Sequence, residues 1–243
     1  MMRIGLFSDI HANLPALESF TKDSTNKGID ALYCLGDLIG YNIWPNEIVD
    51  YIRSNAIGTI AGNHDYNISR LGKGNVFLSK GEMTNGAKSV NFTNELLTDE
   101  NRVFLKALPK HIKLYQENYT VLLVHGSPNA NNEYMREDID SEYLEDLFNQ
   151  YEADIICCGH THIPFHKTVE IEGETKHLIN IGSVGKPKDK DVRGCYATLD
   201  LTEDIEDIKV VFNKFEYDVE KAAKAIEDCE LPDAFAQNLR QGF

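Results

Sequence analysis

The chain lacks the marks of several large protein classes at once. Its 5 cysteines are an odd number, with Cys157 and Cys158 adjacent and Cys34, Cys195 and Cys229 isolated. Neither a disulfide framework nor a C-x-x-C pair can be written from them, which excludes a stapled secreted scaffold and points to reduced thiols in the cytoplasm. Long apolar runs are missing: a stretch such as residues 121–124 falls far short of the roughly 20 residues that span a bilayer. Asp9 arrives too early for a signal peptide. Positive charge is scarce, 24 Lys and Arg against 39 Asp and Glu, for a net charge of −15. That sign excludes a protein that grips long nucleic acid or an anionic membrane by counterion release, but it admits a small anionic ligand wherever bound metal reverses the local field.

Nor does a repeat, a low-complexity tract or a Pro/Ser-rich linker divide the 243 residues. We read residues 1–243 as a single α/β domain with enough apolar content to bury a core. Residues 3–8 form a short apolar run, and Leu17 and Phe20 follow at helical spacing before Gly28. Residues 31–35 are strand-like, residues 45–54 helical with Ile48, Val49 and Ile52 inward, and residues 56–61 strand-like again. This β-α-β-α-β alternation is the signature of a parallel sheet. Residues 65–108 change texture and predict a mostly helical insertion, with a cap near Thr98 and a stop before Pro109. Strands are then expected at 112–115, 119–124, 154–158, 167–170, 176–179, 196–201 and 208–212, a helix at about 141–150, and a helical tail from about 218 to 243.

The informative pattern is where Asp, His and Asn fall. Asp9 and His11 follow the first strand, Asp37 the second, Asn63 and His64 the third. His125 follows the 119–124 strand, and His160 and His162 the 154–158 strand. Ligands of α/β sheets bind in the crevice beyond the carboxyl ends of the strands, so residues more than 150 positions apart can converge there. A lone His at a strand end is most often a packing or surface residue. Five strand ends that all carry such groups are another matter. Carboxylate, imidazole and amide donors without a thiolate suit hard-to-intermediate divalent metals and disfavour a structural Cys-type zinc site. The number of donors suggests two ions, with one Asp shared between them.

Ser8-Asp9-Ile10-His11, Gly36-Asp37, Gly62-Asn63-His64-Asp65, His125-Gly126 and Gly159-His160-Thr161-His162 resemble, in this order, the five motifs of the calcineurin-like metallophosphoesterase superfamily. Gly36-Asp37-Leu38-Ile39-Gly40-Tyr41, Trp44-Pro45-Asn46-Glu47 and Asn180-Ile181-Gly182-Ser183-Val184-Gly185 are similar to its YfcE-like phosphodiesterase branch. The resemblance implies a four-layer αββα sandwich with a dinuclear centre at one sheet edge. It implies Asp9, His11 and His162 on one ion, Asn63, His125 and His160 on the other, and Asp37 as the bridge. His64 is left as the catalytic group that protonates the leaving oxygen or stabilises developing charge. Two divalent ions are the implied cofactors, manganese first, with iron, zinc, nickel or cobalt also suited. The implied activity is hydrolysis of phosphodiester bonds of small molecules or nucleotides by in-line attack of a metal-bridging hydroxide. The alternatives are a phosphomonoesterase, a dinucleoside polyphosphate hydrolase, or a non-catalytic protein-binding scaffold on the same fold.

Several residues stand beside this set. Asn13 reads equally as a phosphate contact and as the N-cap of the next helix. Where related phosphatases carry Asp-Arg-Gly, this chain has Gly40-Tyr41-Asn42, so the phosphate-gripping Arg is absent at that position; Asp65 could orient His64, or be a solvated loop charge. Ala12 stands where Gly is common, and Ile181 where Pro is common. Tyr41 and Trp44 could stack on a nucleobase, with core packing favoured for Trp44. Lys186, Lys188, Lys190 and Arg193 read more as a solvated mixed-charge loop than as anion contacts. His111, His166 and His177 lie outside the motifs. The oligomeric state has no signature in the pattern.

Overall fold

The computed structural model describes residues 2–77 and 83–243. Residues 78–82 of the expected 65–108 insertion lie outside the described residues. The first half of the chain runs β1 (Met2–Phe7), α1 (Leu14–Thr25), β2 (Ala31–Cys34), α2 (Pro45–Ser54), β3 (Gly58–Thr59), α3 (Asn63–Leu71), α4 (Asn85–Leu96) and α5 (Asp99–Ala107). The second half runs β4 (His111–Tyr115), β5 (Thr120–Val124), α6 (Ser141–Tyr151), β6 (Ile155–Cys158), β7 (Phe165–Ile171), β8 (Glu174–Asn180), β9 (Gly194–Leu201), β10 (Lys209–Phe215), α7 (Val219–Glu227) and α8 (Asp233–Gln241).

The strands form two five-stranded sheets, in the orders β10-β9-β1-β2-β3 and β4-β5-β6-β8-β7. The first is parallel on the β3 side and the second in its middle. β1, β2 and β3 run together, as do β5, β6 and β8, whereas β9, β10, β4 and β7 pair antiparallel. Side-chain alternation assigns the layers, because successive residues of a strand face opposite sides. Val121, Leu123, Ile155 and Cys157 meet Ile4, Leu6, Ala197 and Leu199 between the sheets. Their neighbours Leu122, Val124, Ile156 and Cys158 face α6. On the far side Phe7 packs with α1 and α2 through Leu17, Phe20, Ile48 and Ile52. Double-sided burial explains why these strands read as continuous apolar runs. The result is the expected αββα sandwich, and the adjacent Cys157 and Cys158 are buried strand residues on opposite faces.

The sequence placed several edges wrongly. β3 is only two residues long: Ile60 N–H still donates to the last carbonyl of β2, that of Cys34, and Ala61 N–H then turns to the Pro109 carbonyl. The helical tail consists of two helices with a break at 228–232; its Phe235 and Ile226 pack around Tyr41 and Trp44. Val90, Leu97 and Leu105 from α4 and α5 join the cluster under α2, and Arg102 of α5 ties the three helices by donating to the carbonyls of Ile68 (2.8 Å) and Asn94 (3.0 Å). Among the described residues no helix is long and apolar enough to cross a membrane.

His177 shares the inward parity of Ile179 and is buried, its Nδ1 2.9 Å from Nε2 of His166, with the two rings stacked. Burial, and then the neighbouring imidazole, push His177 down to about 4. The unfolded chain binds a proton near pH 6.5 that the folded chain refuses until about pH 4, so this imidazole favours the folded state above pH 6.5 and the advantage is lost as pH falls through that window. Urea midpoints measured from pH 7 to pH 4 are expected to fall less steeply for His177→Phe than for the unaltered protein; parallel curves would remove His177 from the acid response.

Candidate metal centre

The donor-bearing loops are drawn together by main-chain hydrogen bonds. Asp9 N–H donates to the Gly36 carbonyl (3.0 Å), His11 N–H to that of Asp37 (3.0 Å), Gly159 N–H to that of His125 (2.9 Å) and Gly185 N–H to that of Asp9 (3.0 Å). The turns are tight. Asp9, His11, Ala12, Asp37, Tyr41, His160 and His162 all have φ between 50° and 65°, a region that non-glycine residues seldom enter. Ala12 therefore occupies a left-handed position at which Gly would be unstrained, and nothing in the structure explains the Ala. Gly36 has φ +90°, and a Cβ there would collide with the main chain of Gly62, so the β2 and β3 loops can close on each other only through glycine.

Each acidic donor spends one oxygen on holding its place. Asp9 Oδ2 accepts from Ser8 Oγ (2.6 Å) and His160 N–H (3.1 Å), while its buried Oδ1 has no hydrogen-bond partner among the described residues. Asp37 Oδ1 accepts from His64 N–H (2.9 Å), and Oδ2 stands 3.3 Å from His125 Nε2 and 3.6 Å from His11 Nε2. The imidazoles are oriented from behind. Nδ1 of His11 meets the Ile39 carbonyl (3.1 Å), Nδ1 of His125 the Leu35 carbonyl (2.8 Å), and Nδ1 of His162 the Lys186 carbonyl. A carbonyl only accepts, so Nδ1 carries a hydrogen, and His11 and His162, held neutral by burial, present their Nε2 lone pairs forward. His160 bonds to the main chain of Asn132, leaving its buried Nε2 without a partner among the described residues.

What faces those lone pairs is decisive. His11 Nε2 lies 3.4 Å from His162 Nε2, and His162 Nε2 lies 3.3 Å from Asp9 Oδ1. Burial holds both His11 and His162 well below the usual imidazole range, so acceptor confronts acceptor. His125 is the exception: burial is outweighed by Asp37 and Asp9, which favour its charged form, so its Nε2 donates toward Asp37 Oδ2 and, at 3.1 Å, faces Asn63 Oδ1, and a cation would take the place of that proton. Among the described residues no Lys or Arg forms an ion pair with Asp9 or Asp37. Buried acceptors without donors or countercharge are costly, and cations resolve both deficits. Two nitrogens each about 2.1 Å from one ion at a tetrahedral angle stand about 3.4 Å apart. The residues fit divalent metal, and two compact groups offer themselves: Asp9, His11 and His162, and Asp37, His125 and His160, each with donor atoms within 4.8 Å of one another.

The remaining electrostatics follow from burial. Burial, with lesser contributions from Asp37, pushes Asp9 up to about 6. Burial also pushes Asp37 up, but the pull of His125, His64 and His11 outweighs it and holds the carboxyl well below the usual range. For His125 burial is outweighed by Asp37 and Asp9, which raise it to about 9. His64 is lowered by burial; a ring nitrogen lies within 4.8 Å of donors on His11 and Asp37, and its buried Nδ1 has no partner among the described residues.

Asp9, His11, Asp37, Asn63, His64, His125, His160 and His162 come together beyond the strand ends, each within reach of another of the set. Asn13 does not serve as a phosphate contact and is corrected to an N-cap: it is fully buried, with Oδ1 accepting from Ala16 N–H (3.2 Å) and Nδ2 donating to the Gly185 carbonyl (2.8 Å). Asp65 neither orients His64 nor faces solvent. It is fully buried, and its two oxygens accept from the N–H groups of Leu38 and Gly62, both at 3.0 Å, which locks the loop after β2 to the start of α3. Lys186 is not a solvated loop charge: it is 5% exposed, its Nζ lies 4.9 Å above the Tyr41 ring, and burial followed by Lys188 lowers it to about 7. Arg193 is occupied by Asp191. Tyr41 packs against His11 and His64 (both 4.8 Å between centroids). His111, His166 and His177 lie elsewhere, as expected. Tyr134, whose ring stacks on His160 at 4.4 Å, follows no motif and carried no signal in the sequence.

Comparison with known proteins agrees with this geometry. A model of the calcineurin-like phosphoesterase superfamily domain matches residues 2–204. The chain belongs to that superfamily. An uncharacterized protein of Methanocaldococcus jannaschii is 34% identical to it over an alignment covering 98% of both chains. A metallophosphoesterase from Sphaerobacter thermophilus superposes with a TM-score of 0.76 at 26% identity, covering 100% of this chain and 99% of that one. A hypothetical protein from Pyrococcus horikoshii superposes at 0.84 and 21% identity, with the same coverage, and shows the shared fold. The superfamily is metal-dependent.

The Asp65 clamp yields a stability test. Asp65→Asn has one acceptor oxygen for two buried N–H groups and turns an amide donor toward the other, which costs about 2 kcal/mol. Denaturant unfolding should show that loss; an unchanged unfolding free energy would mean the clamp is idle.

Proposed function

We propose that the protein is a dinuclear metal-dependent phosphodiesterase acting in the cytoplasm on small phosphate esters or nucleotides. The observation that carries this reading is the buried set of Asp9, His11 and His162, whose Nε2 and carboxylate acceptors face one another with no donor between them. Asp9, His11 and His162 would hold one ion, Asn63, His125 and His160 the other, and Asp37, whose free oxygen faces both His11 and His125, would join them. When bound, such a pair of ions, manganese first, supplies Lewis-acid charge and an acidified water at neutral pH.

The chain supplies the rest. The main-chain latches fix the donors before substrate arrives, so little reorganisation is needed. The His64 ring stands beside these groups with its buried Nδ1 unpartnered among the described residues, positioned to give a proton to the departing oxygen. Lys186 and Lys188 bring positive charge to the same mouth; both act on His64 and His162. They compensate for the guanidinium that Gly40-Tyr41-Asn42 does not provide. The intact donors and His64 weigh against a scaffold without catalysis.

Manganese-dependent hydrolysis of bis(p-nitrophenyl) phosphate is expected to exceed that of p-nitrophenyl phosphate and to stop on chelation. Preference for the monoester would make the protein a phosphomonoesterase, and no turnover of either with metal bound would end the enzyme reading. Asp37→Asn should lose both ions in a metal count. His64→Ala should keep them while kcat drops by about 10²- to 10³-fold; normal turnover by that variant would dismiss His64 as the proton donor.

A further inference from the structure

Next to the donor groups lies a cleft of about 530 Å³, within the usual size of a small-molecule site, and mostly apolar. Tyr134, Arg136, Ile163, Phe165, Lys188 and Phe243 line it. Tyr134, Ile163 and Phe243 are 52%, 47% and 47% exposed, large apolar side chains left in water and gathered in one place. Such a cluster marks a binding groove more often than a chance surface. It is continuous with the centre, because the Tyr134 ring lies nearly flat on His160, with 29° between the planes. The Arg136 guanidinium is 5.5 Å from the centroid of the same ring. Lys188 stands between cleft and centre, near enough for its charge to act on His160 and His162 and to feel Asp9 and Asp37.

We propose that this cleft receives the planar aromatic group of the substrate, a nucleobase or similar ring, while the phosphate lies against the donor groups. The proposal rests on the phosphoesterase reading above and narrows it to nucleotide-like esters. The reasons are geometric and chemical. An aromatic surface that begins at a donor residue and runs outward suits a ring attached to a phosphate through a short connection. Stacking on aromatic side chains and Arg planes is indifferent to base identity, and a sugar phosphate offers no such face. Lys188 neutralises the ester at the junction between the two parts. A long polyanion is disfavoured by the net charge of −15.

Calorimetric titration of the manganese-loaded protein with AMP, ribose 5-phosphate and inorganic phosphate tests this, since the first two differ only by the base. AMP should bind at least about tenfold more tightly than ribose 5-phosphate. Tyr134→Ala should erase that advantage while phosphate affinity moves less than about twofold, and Tyr134→Phe should restore it. Phe243→Ala, remote in sequence from every donor, should reduce the advantage by about threefold and guards against an indirect effect through His160. Equal affinities for AMP and ribose 5-phosphate, or an advantage that survives both alanine variants, overturn the cleft assignment and leave diester hydrolysis standing. If none of the three ligands binds and bis(p-nitrophenyl) phosphate is not turned over, the phosphoesterase reading fails and takes the cleft assignment with it.

Discussion

Everything at the candidate centre depends on two buried carboxylates that are each half spent. One oxygen of Asp9 and one of Asp37 are bound to main-chain N–H groups, and the other is turned toward imidazole nitrogens, which beside Asp9 carry lone pairs of their own. A protein interior rarely tolerates acceptors crowded on acceptors. The arrangement persists because the loops carrying these groups are tied to one another through their backbones, independently of what the side chains face. The scaffold thus holds a local electrostatic deficit that divalent cations fill.

The same logic explains the concentration of left-handed residues at the strand ends. Each such residue costs of order 1 kcal/mol or more, and together they would weigh heavily on a small domain. Two sheets buried on both faces, with helices packed outside, supply the stability that offsets this local strain. Strain at the sheet edge turns Asp9, His11, Asp37, His160 and His162 abruptly out of their strands and into one pocket. A relaxed turn would carry them onward along the surface.

Much of this was legible in the sequence, for identifiable reasons. Residues such as Val121 to Val124 are buried on both faces and so announce themselves as strands, and a polar donor directly after such a run marks the crevice side of the sheet. The two-sheet arrangement needed the family resemblance, because alternation within a strand does not say which strands share a sheet. What stayed hidden depended on contacts distant in sequence. Asp65 looks like any acidic residue until Leu38 and Gly62 are seen on its two oxygens. Asn13 fitted two roles until Gly185, 172 positions away, occupied its amide. Lys186 sits in a charged segment, and only the Tyr41 ring and the Phe243 carbonyl reveal that it is covered. Tyr134 lies in a long polar loop with no periodicity to single it out.

The position of β1 has a consequence for how the molecule is assembled. This strand lies between β2, its near neighbour in the chain, and β9, which begins almost two hundred residues later. The sheet of β4 to β8, by contrast, is built from one contiguous stretch. Emerging from the ribosome, the second sheet can complete its ladder while the first still shows a bare edge beside Ile4 and Leu6. Closing that edge means bringing together the most widely separated parts of the polypeptide, an entropically slow event. The nascent chain therefore carries an open strand template for much of its synthesis, and β9 is the piece that retires it.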